Sequence, residues 1–85
     1  VIMVYDVNQA RLAKVLKIGR RYLVWVQNSV LEGEVTWAQL EKLKSEVSQA
    51  IKPEEDSILL YVLRDEKWME RQRLGKSKGE PKWVV

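Results

Sequence analysis

An α+β fold, with an antiparallel sheet carrying both helices on one face, is predicted by three observations. Short runs rich in Val, Ile, Leu and Tyr recur along the chain, and stretches with helical apolar spacing stand between them. The two kinds of element interleave within 85 residues, which is room for one domain. The resulting order is β-α-β(β)-α-β-β followed by an apolar tail. So few elements form one pair of layers, a sheet with helices against it.

The first run, Val1-Ile2-Met3-Val4-Tyr5-Asp6, is five buriable residues ending in a carboxylate. A run this short with no polar face reads as a strand covered on both sides. Its end is the most rigidly placed position for an ionisable group, which makes Asp6 the leading candidate site residue. From the residues alone, Asp6 is open to two roles, metal ligand or acceptor for the N–H groups of the following turn. Asn8 suits an N-cap, and Leu12, Val15 and Leu16 recur at helical spacing, so a first helix is expected over about 9–18. Gly19 stands where a helix C-terminus uses glycine.

Tyr22-Leu23-Val24-Trp25-Val26 reads as a second strand, apolar on both faces, and Val30 to Val35 as its continuation. The polar Gln27-Asn28-Ser29 between them is either a tight hairpin turn or a bend in one strand. Gly33 marks a bulge or a close backbone approach. Thr36 with Gln39 forms a capping box, and Val35 with Leu40 a hydrophobic staple. Leu40, Leu43, Val47 and Ile51 continue one apolar stripe, and Pro53 stops this second helix. Glu54-Glu55-Asp56 is expected as a solvated acidic loop. Ser57 to Leu63 reads as a buried strand, residues 64–67 as a turn, and Trp68 to Leu74 as an edge strand carrying Arg71 and Arg73. Residues 1–74 thus form the domain. Residues 75–85 read as a basic linker ending in Trp83-Val84-Val85, a segment that docks as an added strand on a sheet edge.

Composition narrows the chemistry. The chain is 46% hydrophobic and 32% charged, which suits a globular protein. It has no Cys and no His, so disulfides, thiolate sites and imidazole chemistry are excluded, leaving carboxylates, hydroxyls and backbone. No apolar run reaches the roughly 18–20 residues that span a bilayer, and the first residues lack a basic secretory n-region, so a cytoplasmic setting is expected. The net charge is +3, unevenly spread. Arg11, Lys14, Lys17, Arg20 and Arg21 face only Asp6 before Trp25, and a second basic region begins at Arg64. Basic ends around an acidic middle point to a polyanion partner, although a solvated helix face gives the same pattern.

Taken together, Tyr5-Asp6-Val7, the run from Trp25-Val26-Gln27-Asn28-Ser29-Val30-Leu31 to Glu32-Gly33-Glu34, and Glu54-Glu55-Asp56-Ser57 before a strand resemble CRISPR-associated protein two. This is the small subunit of the CRISPR adaptation machinery, and the resemblance covers nearly the whole chain. It implies a homodimer of ferredoxin-like protomers, each a βαββαβ sandwich plus a C-terminal strand that crosses to the partner. It implies spacer acquisition in antiviral defence, binding to the CRISPR integrase subunit, and Mg²⁺-dependent endonuclease activity on RNA or duplex DNA. The alternative it leaves is a non-catalytic DNA-binding scaffold bridging the integrase. Asp6 is implied as the metal ligand, one from each protomer sharing one Mg²⁺, with Tyr5 beside it as a catalytic residue. Arg11 and Ser29 match positions tied to substrate contact, and Arg20, Arg21, Arg71, Arg73, Lys76 and Lys78 are further candidate phosphate contacts. Two positions depart from the family pattern. Trp25 stands where some members carry Arg, and Leu31 where most carry Phe. An indole cannot neutralise a phosphate, although it has a face on which a base can stack.

Overall fold

In the computed structural model, described for residues 1–65 and 68–76, five strands form one antiparallel sheet with two helices. The elements are β1 (Ile2–Asp6), α1 (Gln9–Gly19), β2 (Val24–Gln27), β3 (Val30–Glu32), α2 (Trp37–Ala50), β4 (Ser57–Asp65) and β5 (Trp68–Gly75). The strand order is β2-β3-β1-β4-β5, so β1 lies at the centre and the expected ferredoxin-like α+β arrangement is present. The linker beyond Lys76, with Lys78 and the Trp83 tail, lies outside the described residues.

Strand alternation sorts the core. Met3 and Tyr5 of β1 pair with Leu60 and Ile58 of β4, and Met3 also pairs with Leu31 of β3. These side chains are buried with Val15 and Ile18 of α1 and Leu40, Leu43 and Val47 of α2. Both helices therefore cover one face. Among the described residues nothing covers the opposite face. Ile2 is 39% exposed, and Val24, Leu63 and Met69 are more open still. The central strand is thus buried on one side only, where its apolar sequence suggests cover on both.

The helix caps follow the sequence closely. Asn8 Oδ1 accepts from the Ala10 N–H at 2.9 Å, so Asn8 and not Asp6 caps α1. The Thr36–Gln39 capping box is complete, with both reciprocal hydrogen bonds made. Gly19 has a different reason from the one its position suggests. It is the last residue of α1, Arg20 after it is helical, and no left-handed turn is formed. A Cβ at Gly19 would stand 2.5 Å from Leu31 Cδ1, so glycine here permits close packing of α1 on β3.

Three further corrections concern the middle of the chain. Residues 20–23 are turns and a bend, so β2 begins at Val24 and not at Tyr22. Among the described residues β2 is an edge strand with no neighbour on its outer side, and its Val24, Trp25 and Val26 are all exposed. β3 ends at Glu32, after which Gly33 exchanges backbone hydrogen bonds with Val1. The two readings of 27–29 resolve to the hairpin, since β2 and β3 pair antiparallel with Gln27 opposite Val30. Asn28, at φ 39°, takes the left-handed conformation that such two-residue loops need. A register shift between Trp25 and Gln27 places a bulge just before the turn.

Candidate functional site

The acidic turn before β4 is not a solvated loop throughout. Asp56 is fully buried and receives four hydrogen bonds. Its Oδ1 accepts from the Asn8 N–H at 2.9 Å and from Arg11 Nη2 at 3.0 Å. Its Oδ2 accepts from Arg11 Nε at 2.6 Å and from the Lys52 N–H at 2.9 Å. Arg11 also reaches Glu55 at 3.6 Å. A carboxylate this deep is tolerated only with its lone pairs filled and a cation against it. The Arg11 guanidinium, aided by the two backbone N–H donors, holds the Asp56 carboxyl far below the usual carboxylate range. Arg11, a candidate substrate contact, is thereby engaged inside the protein. Burial of the third acid was missed because its partner lies 45 residues earlier. The only signal was position, an acid set directly against an apolar strand.

This clasp ends at Asn8, two residues beyond Asp6. On the other side of Asp6, Tyr5 is buried toward the helices, and its hydroxyl donates to the Asn28 carbonyl at 2.8 Å. The Tyr5 N–H also donates to the Ser29 carbonyl at 3.1 Å. Burial pushes the Tyr5 phenol above its ordinary value, with the neighbouring Trp25 side chain partly opposing the shift. Asp6 therefore lies between two anchored neighbours. It is exposed at the end of β1, opposite Ser57, and alternation places it on the same face as Ile2 and Val4. That face carries a shallow hollow of about 590 Å³ lined mostly by apolar residues, among them Ile2, Val24, Tyr61 and Met69. Among the described residues, no three His, Cys, Asp or Glu side chains cluster to hold a metal.

The remaining candidates divide between regions. Ser29, Arg20 and Asp6 border a cavity of about 360 Å³ between α1 and the β2–β3 hairpin, with Tyr5 and Trp25 also in its lining. The Trp25 indole N–H donates to the same Asn28 carbonyl at 3.0 Å. Arg21 is paired with Glu46 of α2 at 2.5 Å, and the Tyr22 hydroxyl donates to the other oxygen of that carboxylate. Arg71 and Arg73 are half-buried on β5 opposite Tyr61 and Leu59, hence on the uncovered sheet face and away from Arg20. Lys76 is exposed, and its N–H donates to the Asp56 carbonyl at 2.7 Å. The structure thus gathers Tyr5, Asp6, Arg20 and Ser29, and separates them from Arg71, Arg73 and Lys76.

Comparison with known proteins agrees with this layout. The family model for CRISPR associated protein Cas2 matches residues 1–71. A CRISPR-associated endoribonuclease Cas2 from Thermotoga maritima is 55% identical over 84 residues, covering 99% of this chain and 97% of the relative. The Dictyoglomus turgidum protein of the same name is 53% identical over 85 residues, covering all of this chain and 98% of its own. A solved structure described as the crystal structure of cas2 superposes with a TM-score of 0.72 at 37% identity, covering 99% of this chain and 94% of that one. With central β1, the Tyr5-Asp6 strand end and the Asn28-Ser29 hairpin in one continuous match, the chain belongs to the Cas2 family of CRISPR-associated proteins.

Proposed function

We propose that the chain works as a homodimer in CRISPR adaptation, binds the integrase subunit, and hydrolyses phosphodiester bonds of RNA or duplex DNA through paired Asp6 carboxylates. The observation that carries this reading is the placement of Asp6 on the uncovered face of the sheet, in line with Ile2 and Val4. A two-fold axis through that apolar face covers Ile2, Val4 and Tyr61 and brings the two Asp6 residues toward each other. One exposed carboxylate at a strand end fits Mg²⁺, which keeps most of its waters and takes only one or two protein carboxylates. When bound there, the ion lowers the pKa of a water and offsets charge on the phosphoryl oxygens.

The chain's own residues supply position. The clasp on Asn8 and the Tyr5 bond to the hairpin hold the backbone on both sides of Asp6. Tyr5 stays protonated at neutral pH with its proton directed to Asn28, so it acts by holding the hairpin and not as a base. The exposed Lys14 and Lys17 of α1 and Arg20 just after it, with no acid on that helix, supply the field for a polyanion.

The test is cleavage of labelled RNA and duplex DNA by the purified protein over a Mg²⁺ series, beside Asp6→Asn. The expected result is metal-dependent cleavage that Asp6→Asn abolishes while the oligomeric state is kept. Cleavage surviving in Asp6→Asn refutes the assignment. No cleavage in either protein, with integrase binding intact, favours the scaffold alternative.

A further inference from the structure

The cavity between α1 and the β2–β3 hairpin has a feature that the paired-carboxylate reading does not use. Trp25 is half exposed, at 50%, on an edge strand, yet it is held in place. Its indole N–H and the Tyr5 hydroxyl converge on the Asn28 carbonyl, at 3.0 and 2.8 Å. The polar edge of the ring is thereby fixed while much of its surface stays open to solvent. Leu12 and Leu16 of α1 contribute apolar wall to the same cavity, and Arg20 stands at its border. At about 360 Å³ the cavity lies near the low end of ligand sites, which run from about 300 to 1,000 Å³. That suits one flat heterocycle.

Charge chooses among flat apolar groups. α1 carries Lys14 and Lys17 and no acid, Arg20 follows at its C-cap, and a second hollow lined by Lys17, Arg20 and Arg21 adjoins at Arg20. A group that puts a planar aromatic ring in the cavity and a negative charge beside Arg20 is a nucleotide. We propose that this cavity binds one unpaired base of a single-stranded nucleic acid, stacked on Trp25, with its phosphate against Arg20. A paired base stays within its duplex stack and enters only by being flipped out, at an energetic cost. Trp25 therefore selects single strands over duplex, in ribose and deoxyribose form alike, because stacking reads the base face and not the sugar. Asp6 borders the same cavity, so a neighbouring phosphate is presented to it. This last step rests on the paired-Asp6 reading, whereas base binding does not.

The experiment is binding by fluorescence anisotropy in the Asp6→Asn background, which keeps the probes uncut. The probes are a short oligouridylate, its thymidine-deoxyribose counterpart, an abasic oligomer with the same number of phosphates, and a duplex. Trp25→Ala is expected to weaken binding of both single strands by about 5- to 150-fold, the range of one lost stacking contact, and to leave the abasic oligomer unchanged. Trp25→Phe restores most of the loss. Arg20→Gln weakens all probes and lowers the salt slope by about one. Equal binding by Trp25→Ala and its parent, or abasic binding as tight as that of the oligouridylate, overturns the proposal. Photocrosslinking of a 5-iodouridine oligomer to the unsubstituted protein is a check that needs no variant. Adducts at Trp25 or Tyr5 support the site, and adducts confined elsewhere refute it. Base-dependent binding in a protein without cleavage would retain the cavity and refute only the paired-Asp6 reading.

Discussion

Replacing Asp56 by Asn changes one atom type and keeps the shape. The carboxylate serves four N–H donors, two on each oxygen. An amide keeps one oxygen and turns an NH₂ toward the other two donors, whichever way it is oriented. Two donors lose their acceptor, one of them on Arg11 in either orientation, and the guanidinium loses its counter-charge. Removing one partner of a buried pair costs about 3–5 kcal/mol, and the lower end applies because the Arg11 side chain keeps 17% exposure. A loss of about 3 kcal/mol is a large fraction of the roughly 4–13 kcal/mol available to a chain of this length. It lowers the melting temperature by about 12–24 °C. Urea titration at neutral pH measures it, with both proteins at one concentration because association would shift the midpoint. A loss under about 1 kcal/mol would refute the claim that this carboxylate holds the β4, α1 and α2 ends together. Asp56→Asn with Arg11→Met removes both charges and recovers part of the loss.

The same group sets an acid limb. The unfolded chain protonates Asp56 near pH 3.9, while the folded chain holds it ionised to lower pH. Its contribution is therefore complete above about pH 5 and is lost as pH falls below that, by at most about 1.4 kcal/mol per unit, and Asp56→Asn removes this component from an acid titration of stability. Thr36→Ala breaks the capping box that starts α2 and costs about 1 kcal/mol, read as a lower urea midpoint with unchanged slope. Val4→Glu puts a charge on the uncovered face without touching the helix-side core, so light scattering after gel filtration should report monomer for the variant and dimer for its parent. A dimeric Val4→Glu protein would refute the proposed interface.

Legibility in the sequence followed the range of the interaction involved. The Asn8 cap, the Thr36–Gln39 box and the α2 stripe are contacts within a few residues, and each formed as read. The antiparallel α+β layout was equally clear, because interleaved short elements in one domain leave few alternatives. What was misread depends on neighbours distant in sequence. Trp25 and Val26 look like core until β2 proves to be an edge, and Asp56 looks solvated until Arg11 meets it. Gly19 was expected at a helix end for its conformational freedom, and it is there because Leu31 comes close.

These long-range contacts are the ones that bear on Asp6. Tyr5 is tied to the hairpin and Asn8 to Asp56, and between them Asp6 pairs with Ser57 of β4. A carboxylate on an exposed strand end would otherwise be placed by a fraying terminus. The Asp56 clasp and the Tyr5–Asn28 bond limit fraying from opposite directions, one through the helix layer and one through the sheet edge. The second anchor also fixes Trp25, since both donors share the Asn28 carbonyl. The carboxylate and the proposed base platform are therefore coupled through one backbone atom. A substitution that reshapes the left-handed turn, such as Asn28→Pro, should disturb base binding and Asp6-dependent cleavage together. Trp25→Ala should leave the cleavage of an abasic-flanked phosphodiester unchanged.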